Sequence, residues 1–260
     1  MKILLFGKYS RMAGFLQRGF ESLGHDVLYS AAGSVASNHA SSSAIHSESV
    51  NVVKDLKNSQ PIIFAQRALR RLQRLSFPLR LSRMVTETQK LIRDFQPDVV
   101  FTCQGGMSML LPPEILETFN DQNVPVFTYF TDPVPEDNSE FLATIPQYAG
   151  IFTYNRNYVP TWYWYGAQQV NYAPFASDPI IHVPKEPDPD RFDYYHSPIS
   201  YLGTWKPHIE LWPVLLVPYG LKIWGNQWYK LPANHSLRNT WQGEGKGLHE
   251  EFALICATSN

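Results

Sequence analysis

MKILLFGKYSRMAGFLQRGFESLGHDVLYS, residues 1–30, decides how the chain begins. Ile3 to Phe6 is a short apolar run, and Gly7 and a polar loop follow it. A helical pattern then runs through Phe15, Phe20 and Leu23 and closes at Gly24. His25-Asp26 leads into a second strand, Val27 to Tyr29. Strand, turn, helix and strand make the βαβ opening of a parallel sheet, with helices expected on both faces.

The same alternation continues downstream. Asp98 to Thr102 reads as a buried strand running into Cys103-Gln104-Gly105-Gly106. A helix over Pro113–Phe119 and a strand over Val126–Phe130 follow, the strand ending at Thr131-Asp132-Pro133. Further along come a helix near Glu140–Ile145, a strand Ile151–Tyr154, an aromatic helix Tyr158–Tyr165 and a strand Val170–Tyr172. Polar residues at the carboxyl ends of strands stand where open α/β sheets place ligands.

Between these parts, Ser30–Ser49 is rich in Ser, Ala, Gly, Asn and His and reads as a surface loop. Phe64–Phe95 is helix-rich, interrupted near Pro78, and carries Arg67, Arg70, Arg71, Arg74, Arg80 and Arg83. These arginines read first as a solvated helical face, and second as a contact for an anionic acceptor, phosphate or membrane surface.

The Pro- and Asp-rich stretch from about Pro179 to Tyr195 has the composition of a connector. It divides the chain into an N-terminal Rossmann-like domain, 1–180, and a second, 181–260. The second opens with strand Ile199–Leu202, loop Gly203-Thr204-Trp205-Lys206, helix Ile209–Val217 and strand Leu221–Trp224. A helix over Gly247–Ala257 should precede another strand, but the chain stops at Asn260. With two strands the second domain is expected to be incomplete.

Composition narrows the function. At 260 residues the chain has room for one large domain or two modest ones. A net charge of −1 shows no basic excess of the kind that marks many nucleic-acid binders, so nucleic acid is not an expected partner. Cys103 and Cys256 are the two cysteines, too few for a disulfide framework, and a reducing cytosol fits. The first apolar run is too short for a signal peptide and no stretch is long enough for a membrane span, so a cytoplasmic protein without a transmembrane segment is expected. His25, His182, His208, His235 and His249 show no metal-ligand spacing. No metal and no cofactor is therefore expected. FGKYSRMAG at Phe6–Gly14 lacks the dinucleotide fingerprint, and neither a phosphate-binding P-loop nor a serine-hydrolase elbow occurs. All seven tryptophans fall in the second half, where aromatic side chains line sugar sites as readily as they fill cores.

Candidate site residues follow from the strand ends. Gly7 either makes a tight turn or permits close backbone approach to an acceptor. Gly203 with Thr204 and Lys206 forms a strand-glycine-helix turn that would present N–H groups to a diphosphate, with Lys206 neutralising it; alternatively Gly203 only turns the chain and Lys206 faces water. Asp132, near Glu136 and Asp137, is a candidate base toward an acceptor hydroxyl, although acidic residues around proline are also ordinary turn formers.

Several of these motifs resemble a known family. FTYFTDP (127–133), IFTYN (151–155) and YAPFASDP (172–179) are similar to the amino-terminal half of the CgeB-like spore-maturation glycosyltransferases. ISYLGTW (199–205), Glu210-Leu211, LKIWGNQW (221–228) and the helix before Ser259-Asn260 resemble the start of that family's carboxyl-terminal domain. The resemblance implies an α/β fold of the GT-B type, two Rossmann-like domains without a catalytic metal. A nucleotide-sugar donor would bind mainly to the second domain, and an unknown acceptor would approach from the first. Gly203, Thr204, Lys206 and His208 would then face the donor, while Gly7, Gly105 and Asp132 would line the acceptor side. Where family members often carry an arginine after the glycine turn, this chain has Pro207-His208. The family's later acidic motif has no counterpart before Asn260. A different reading is a non-catalytic interaction protein with a degenerate glycosyltransferase fold, whose aromatic surface pairs with a partner or makes a homodimer.

Overall fold

A computed structural model of the chain describes residues 1–7, 11–31, 77–105, 110–186, 189–244 and 250–259. They form two compact units, Met1–Phe175 and Ala176–Asn260. Residues 32–49 of the serine-rich stretch, Arg67, Arg70, Arg71, Arg74, Gly106 and Asn260 lie outside the described residues.

The first unit is a six-stranded, all-parallel sheet in the order β2-β1-β3-β4-β5-β6. Its strands are β1 (Lys2–Phe6), β2 (Asp26–Ser30), β3 (Val99–Gln104), β4 (Val126–Phe130), β5 (Gly150–Thr153) and β6 (Val170–Tyr172). The helices are α1 (Arg11–Ser22), α2 (Phe77–Phe95), α3 (Pro113–Asp121), α4 (Ser139–Thr144) and α5 (Val159–Trp164). Local chemistry sets their ends. Gly24 leaves α1 at φ +80, Pro113 opens α3 where its missing N–H costs nothing, and the Asn138 side chain accepts from the Phe141 N–H at 3.0 Å to cap α4.

Strand alternation divides the sheet into two faces. Leu4, Phe6, Val100, Val126 and Phe130 pack with Met84 and Ile92 of α2, Ile115 and Phe119 of α3, Phe141 of α4 and Trp162 of α5. Edge-to-face contacts, Phe6 on Phe119 at 5.1 Å and Phe130 on Trp162 at 4.9 Å, fix the rings within that core. On the opposite face Phe101 meets Phe20 of α1 at 5.4 Å. Helices thus cover both faces, as the alternation predicts. On α2 Arg83 points to solvent and pairs with Glu87 one turn on, at 2.7 Å.

The second unit carries a three-stranded parallel sheet, β7 (Ile199–Leu202), β8 (Leu221–Trp224) and β9 (Trp241–Gly243), in that order. Its helices are α6 (Phe192–Tyr195), α7 (Ser236–Thr240) and α8 (Glu250–Thr258). Leu221, Ile223, Trp228, Leu231 and Leu237 make its main core. Two sequence expectations are corrected here. The helix expected over Ile209–Val217 is a run of turns followed by a 3₁₀ helix, Pro213–Tyr219. Pro213 and Pro218 explain the change, because each removes a backbone N–H and Pro218 crowds the preceding turn. The sheet also has a third strand, β9, where two were expected. Among the described residues no helix is long and apolar enough to cross a membrane.

Candidate functional site

Each sheet is built so that glycines stand at its carboxyl edge. In the first unit β1 lies between β2 and β3, so the direction of strand addition reverses between β1 and β3. Open α/β sheets bind ligands outside such a reversal. Gly7 follows β1 and Gly105 follows β3, and the two flank that point. Gly7 adopts φ +132, with its N–H on the Ser30 carbonyl at 3.1 Å and its own carbonyl accepting from the Tyr29 hydroxyl at 3.0 Å. Among the described residues a Cβ there would meet nothing within 4 Å.

Gly105 is the tighter position. A Cβ on it would lie 2.1 Å from Thr131 Oγ1 and 2.5 Å from Asp132 Oδ2. The structure therefore brings Gly105 and Asp132 together, with the exposed Asp132 carboxylate resting over the glycine. The Thr131 N–H and Thr131 hydroxyl both donate to the Gln104 carbonyl, at 2.8 and 3.2 Å, and so tie the tip of β4 to the tip of β3.

Gln104 itself is a buried strut beneath this edge. Its Nε2 lies 3.1 Å from the Thr102 hydroxyl, 3.1 Å from the Thr128 hydroxyl and 2.9 Å from the Tyr148 hydroxyl. With two amide hydrogens it serves two of the three at a time. Its Oε1 accepts the Leu111 N–H at 2.9 Å, which anchors the chain returning from the loop after β3. Burial pushes the Tyr148 phenol up to about 12, so it remains a neutral partner. Gln104→Leu strips the buried Leu111 N–H of its acceptor and is expected to cost about 2 kcal/mol. A urea titration checks this; a midpoint equal to the parent's would contradict the strut.

Beside Asp132 lies a group of aromatic rings to which sequence reasoning gave no role. Tyr154 follows β5 and stacks on Phe175 at 4.9 Å and 19°. Tyr129 of β4 meets Phe175 edge-on at 6.0 Å, and Tyr158 meets Tyr154 at 6.0 Å. The Arg156 guanidinium sits 4.5 Å over the Tyr172 ring. Burial raises the Tyr154 phenol, and the Asp132 charge adds to the effect. The stretches 151–155 and 172–179 were visible as motifs, but their meeting depends on the pairing of β5 with β6.

In the second unit the edge is made of three glycines. Leu202 of β7 pairs with Trp224 of β8, so Gly203 and Gly225 stand side by side. A Cβ on Gly225, at φ +143, would lie 2.0 Å from the Gly203 carbonyl oxygen. Gly225 in turn donates its N–H to Gly243 of β9 at 3.0 Å. Two indoles hold this edge: Trp228 Nε1 donates to the Gly203 carbonyl at 2.8 Å, and Trp241 Nε1 donates to the Gly225 carbonyl at 2.9 Å.

Of the four residues read as facing a donor, Gly203 and Thr204 lie half-buried at this edge, and Lys206 and His208 lie exposed on the turn that follows. That turn is closed by the Ile209 N–H on the Lys206 carbonyl at 2.9 Å, and by Trp205 Nε1 on Glu210 Oε2 at 2.9 Å. No helix starts at Gly203, so the expectation of a helix N-terminus aimed at a diphosphate is overturned; the 3₁₀ helix begins only at Pro213. Gly225 and Gly243 were missed, because their place depends on strand register. Among the described residues no cluster of His, Cys, Asp and Glu is placed to hold a metal ion.

No family model matches the chain, and no curated protein matches it. Solved structures do. A structure of MnaA from S. aureus with UDP is similar at a TM-score of 0.54 and 12% identity, over 99% of this chain and 72% of that one. A glycosyltransferase from Rickettsia africae is similar at 0.53 and 14% identity, over 100% of this chain and 71% of that one. MurG from Acinetobacter baumannii is similar at 0.50 and 12% identity, over 99% and 71%. These likenesses establish an α/β fold of the GT-B glycosyltransferase type.

Proposed function

We propose that this GT-B chain transfers a sugar from a nucleoside-diphosphate donor to an acceptor hydroxyl, in the manner of the CgeB-like enzymes its motifs resemble. The observation that carries the reading is the paired-glycine edge of the second sheet. Where Gly203 and Gly225 abut, no side chain projects from either residue at the carboxyl edge of the sheet, the edge at which open α/β sheets bind ligands. Thr204 adds a hydroxyl there, and Lys206 and His208 follow on an exposed turn. The UDP in the MnaA structure supports a nucleotide at this kind of fold.

In the reaction the acceptor oxygen attacks the anomeric carbon, and the bond from that carbon to the diphosphate oxygen breaks. The nucleoside diphosphate departs with the bonding pair, and the acceptor's proton passes to a base. Lys206 would stabilise the charge growing on the leaving diphosphate. Asp132, at the edge of the first sheet, is the base. Gly7 places no side chain at the end of β1 on the acceptor side, and Gly105 leaves the room that the Asp132 carboxylate occupies.

Calorimetric titration with UDP, GDP, dTDP and ADP tests the donor half. One nucleotide should bind saturably, and Lys206→Ala should weaken it about tenfold, the loss of one charge-assisted contact. If none of the four binds, the reading fails.

A further inference from the structure

We propose that the outer face of Phe175, stacked on Tyr154 beside Asp132, seats a saccharide, so that the acceptor is a sugar rather than a lipid or a phosphorylated group. The inference rests on the glycosyltransferase reading and names its acceptor class. Phe175 is 53% exposed although it belongs to an ordered stack, with Tyr154 beneath it at 4.9 Å and Tyr129 at its edge.

The backbone is arranged to hold the ring in place. The Ala173 N–H donates to the Thr153 carbonyl at 2.9 Å, and the Ala173 carbonyl accepts from the Tyr129 hydroxyl at 2.9 Å. Both backbone polar groups of Ala173, two residues before Phe175, are thus engaged. Burial pushes the Tyr129 phenol up to about 12, which keeps that donor protonated. A ring presented this way loses little freedom when a ligand covers it.

The chemistry around the ring selects the ligand. A pyranose offers a face of C–H groups that lies flat on an aromatic ring and a rim of hydroxyls. Asp132, close enough to Tyr154 for its charge to act on the phenol, accepts from such hydroxyls. The same carboxylate repels a phosphorylated acceptor. Tyr172, 41% exposed under the Arg156 guanidinium, extends the aromatic edge along β6 with a cationic donor.

Saturation-transfer NMR on the full chain tests this with the methyl β-glycosides of glucose, galactose and N-acetylglucosamine, methyl α-mannoside, and UDP as a separate probe. At least one glycoside should show transfer concentrated on the C–H protons of one ring face. Phe175→Ala should weaken that glycoside roughly tenfold, while Phe175→Tyr, which keeps the stacking face, should hold it within about threefold. Matched thermal unfolding of the variants establishes that the fold is kept. The proposal is overturned if no glycoside shows transfer, if transfer survives Phe175→Ala unchanged, or if UDP alone responds to the variant. Nucleotide calorimetry on the same samples separates the two claims. Saccharide binding without nucleotide binding upholds the site and removes the transferase reading; nucleotide binding without saccharide binding removes the site alone.

Discussion

Gly225→Ala is expected to unfold the second unit's sheet, at a cost of about 4 kcal/mol or more. Two penalties combine. An alanine at φ +143 is strained wherever it sits, and its Cβ would lie 2.0 Å from the Gly203 carbonyl oxygen and 2.6 Å from the carbonyl carbon. Those atoms are backbone, and backbone held on several sides. The Gly203 N–H is on the Trp224 carbonyl at 2.9 Å, and the Gly203 oxygen is held by the Trp228 indole. Moving β7 away from β8 would break both contacts together with the strand pairing from Ile199 to Leu202. Gly203→Ala is the matched control. Its Cβ would meet the Tyr201 ring at 2.7–3.2 Å, a side chain that can turn, and the expected cost is about 1–2 kcal/mol. Five of the seven tryptophans lie in the second unit, so tryptophan fluorescence in a urea titration reads the difference. A parent-like midpoint for Gly225→Ala would mean that the two strand ends are not apposed as described.

That pair of glycines also shows where sequence reading succeeds and where it stops. Ile199–Leu202 and Leu221–Trp224 are short apolar runs bounded by turn residues, and such runs identify strands without knowledge of their neighbours. Gly203 was legible as the residue after a strand. The importance of Gly225 was not, because it arises from the pairing of Leu202 with Trp224, 22 positions along the chain. β9 is three residues with Gln242 at its centre, too short for a periodicity. The apolar positions of Ile209–Val217 do fit a helix, but Pro213 and Pro218 were the stronger signal and they dictate the 3₁₀ form. In the first unit Asp132 was visible from its place after a strand. The aromatic stack beside it was not, since Tyr154 and Phe175 meet only once β5 and β6 are paired.

Asp132→Asn is expected to lower the rate of sugar transfer by about 10² to 10⁴-fold, the range for losing a positioned general base. The substitution isolates proton transfer. Asparagine keeps the size of the side chain and much of its hydrogen bonding, so the acceptor should still bind and KM for it should change little while kcat falls. If Asp132 only oriented the acceptor, the asparagine would retain most of that contact and the loss would be nearer tenfold, divided between kcat and KM. Gly105→Ala gives the geometric counterpart. Its new Cβ would lie 2.5 Å from Asp132 Oδ2 and 2.1 Å from Thr131 Oγ1, and both side chains would have to swing away. A carboxylate displaced by an ångström is a poor base even when its chemistry is intact, so this variant should also lose rate, by about 10²-fold. Release of nucleoside diphosphate, followed with the nucleotide identified by calorimetry and the saccharide identified by NMR, measures both. Parent-like turnover in Asp132→Asn would remove Asp132 as the base and leave the paired-glycine edge as the donor site alone; a deep loss shared by Asp132→Asn and Gly105→Ala would tie the chemistry to the joined tips of β3 and β4.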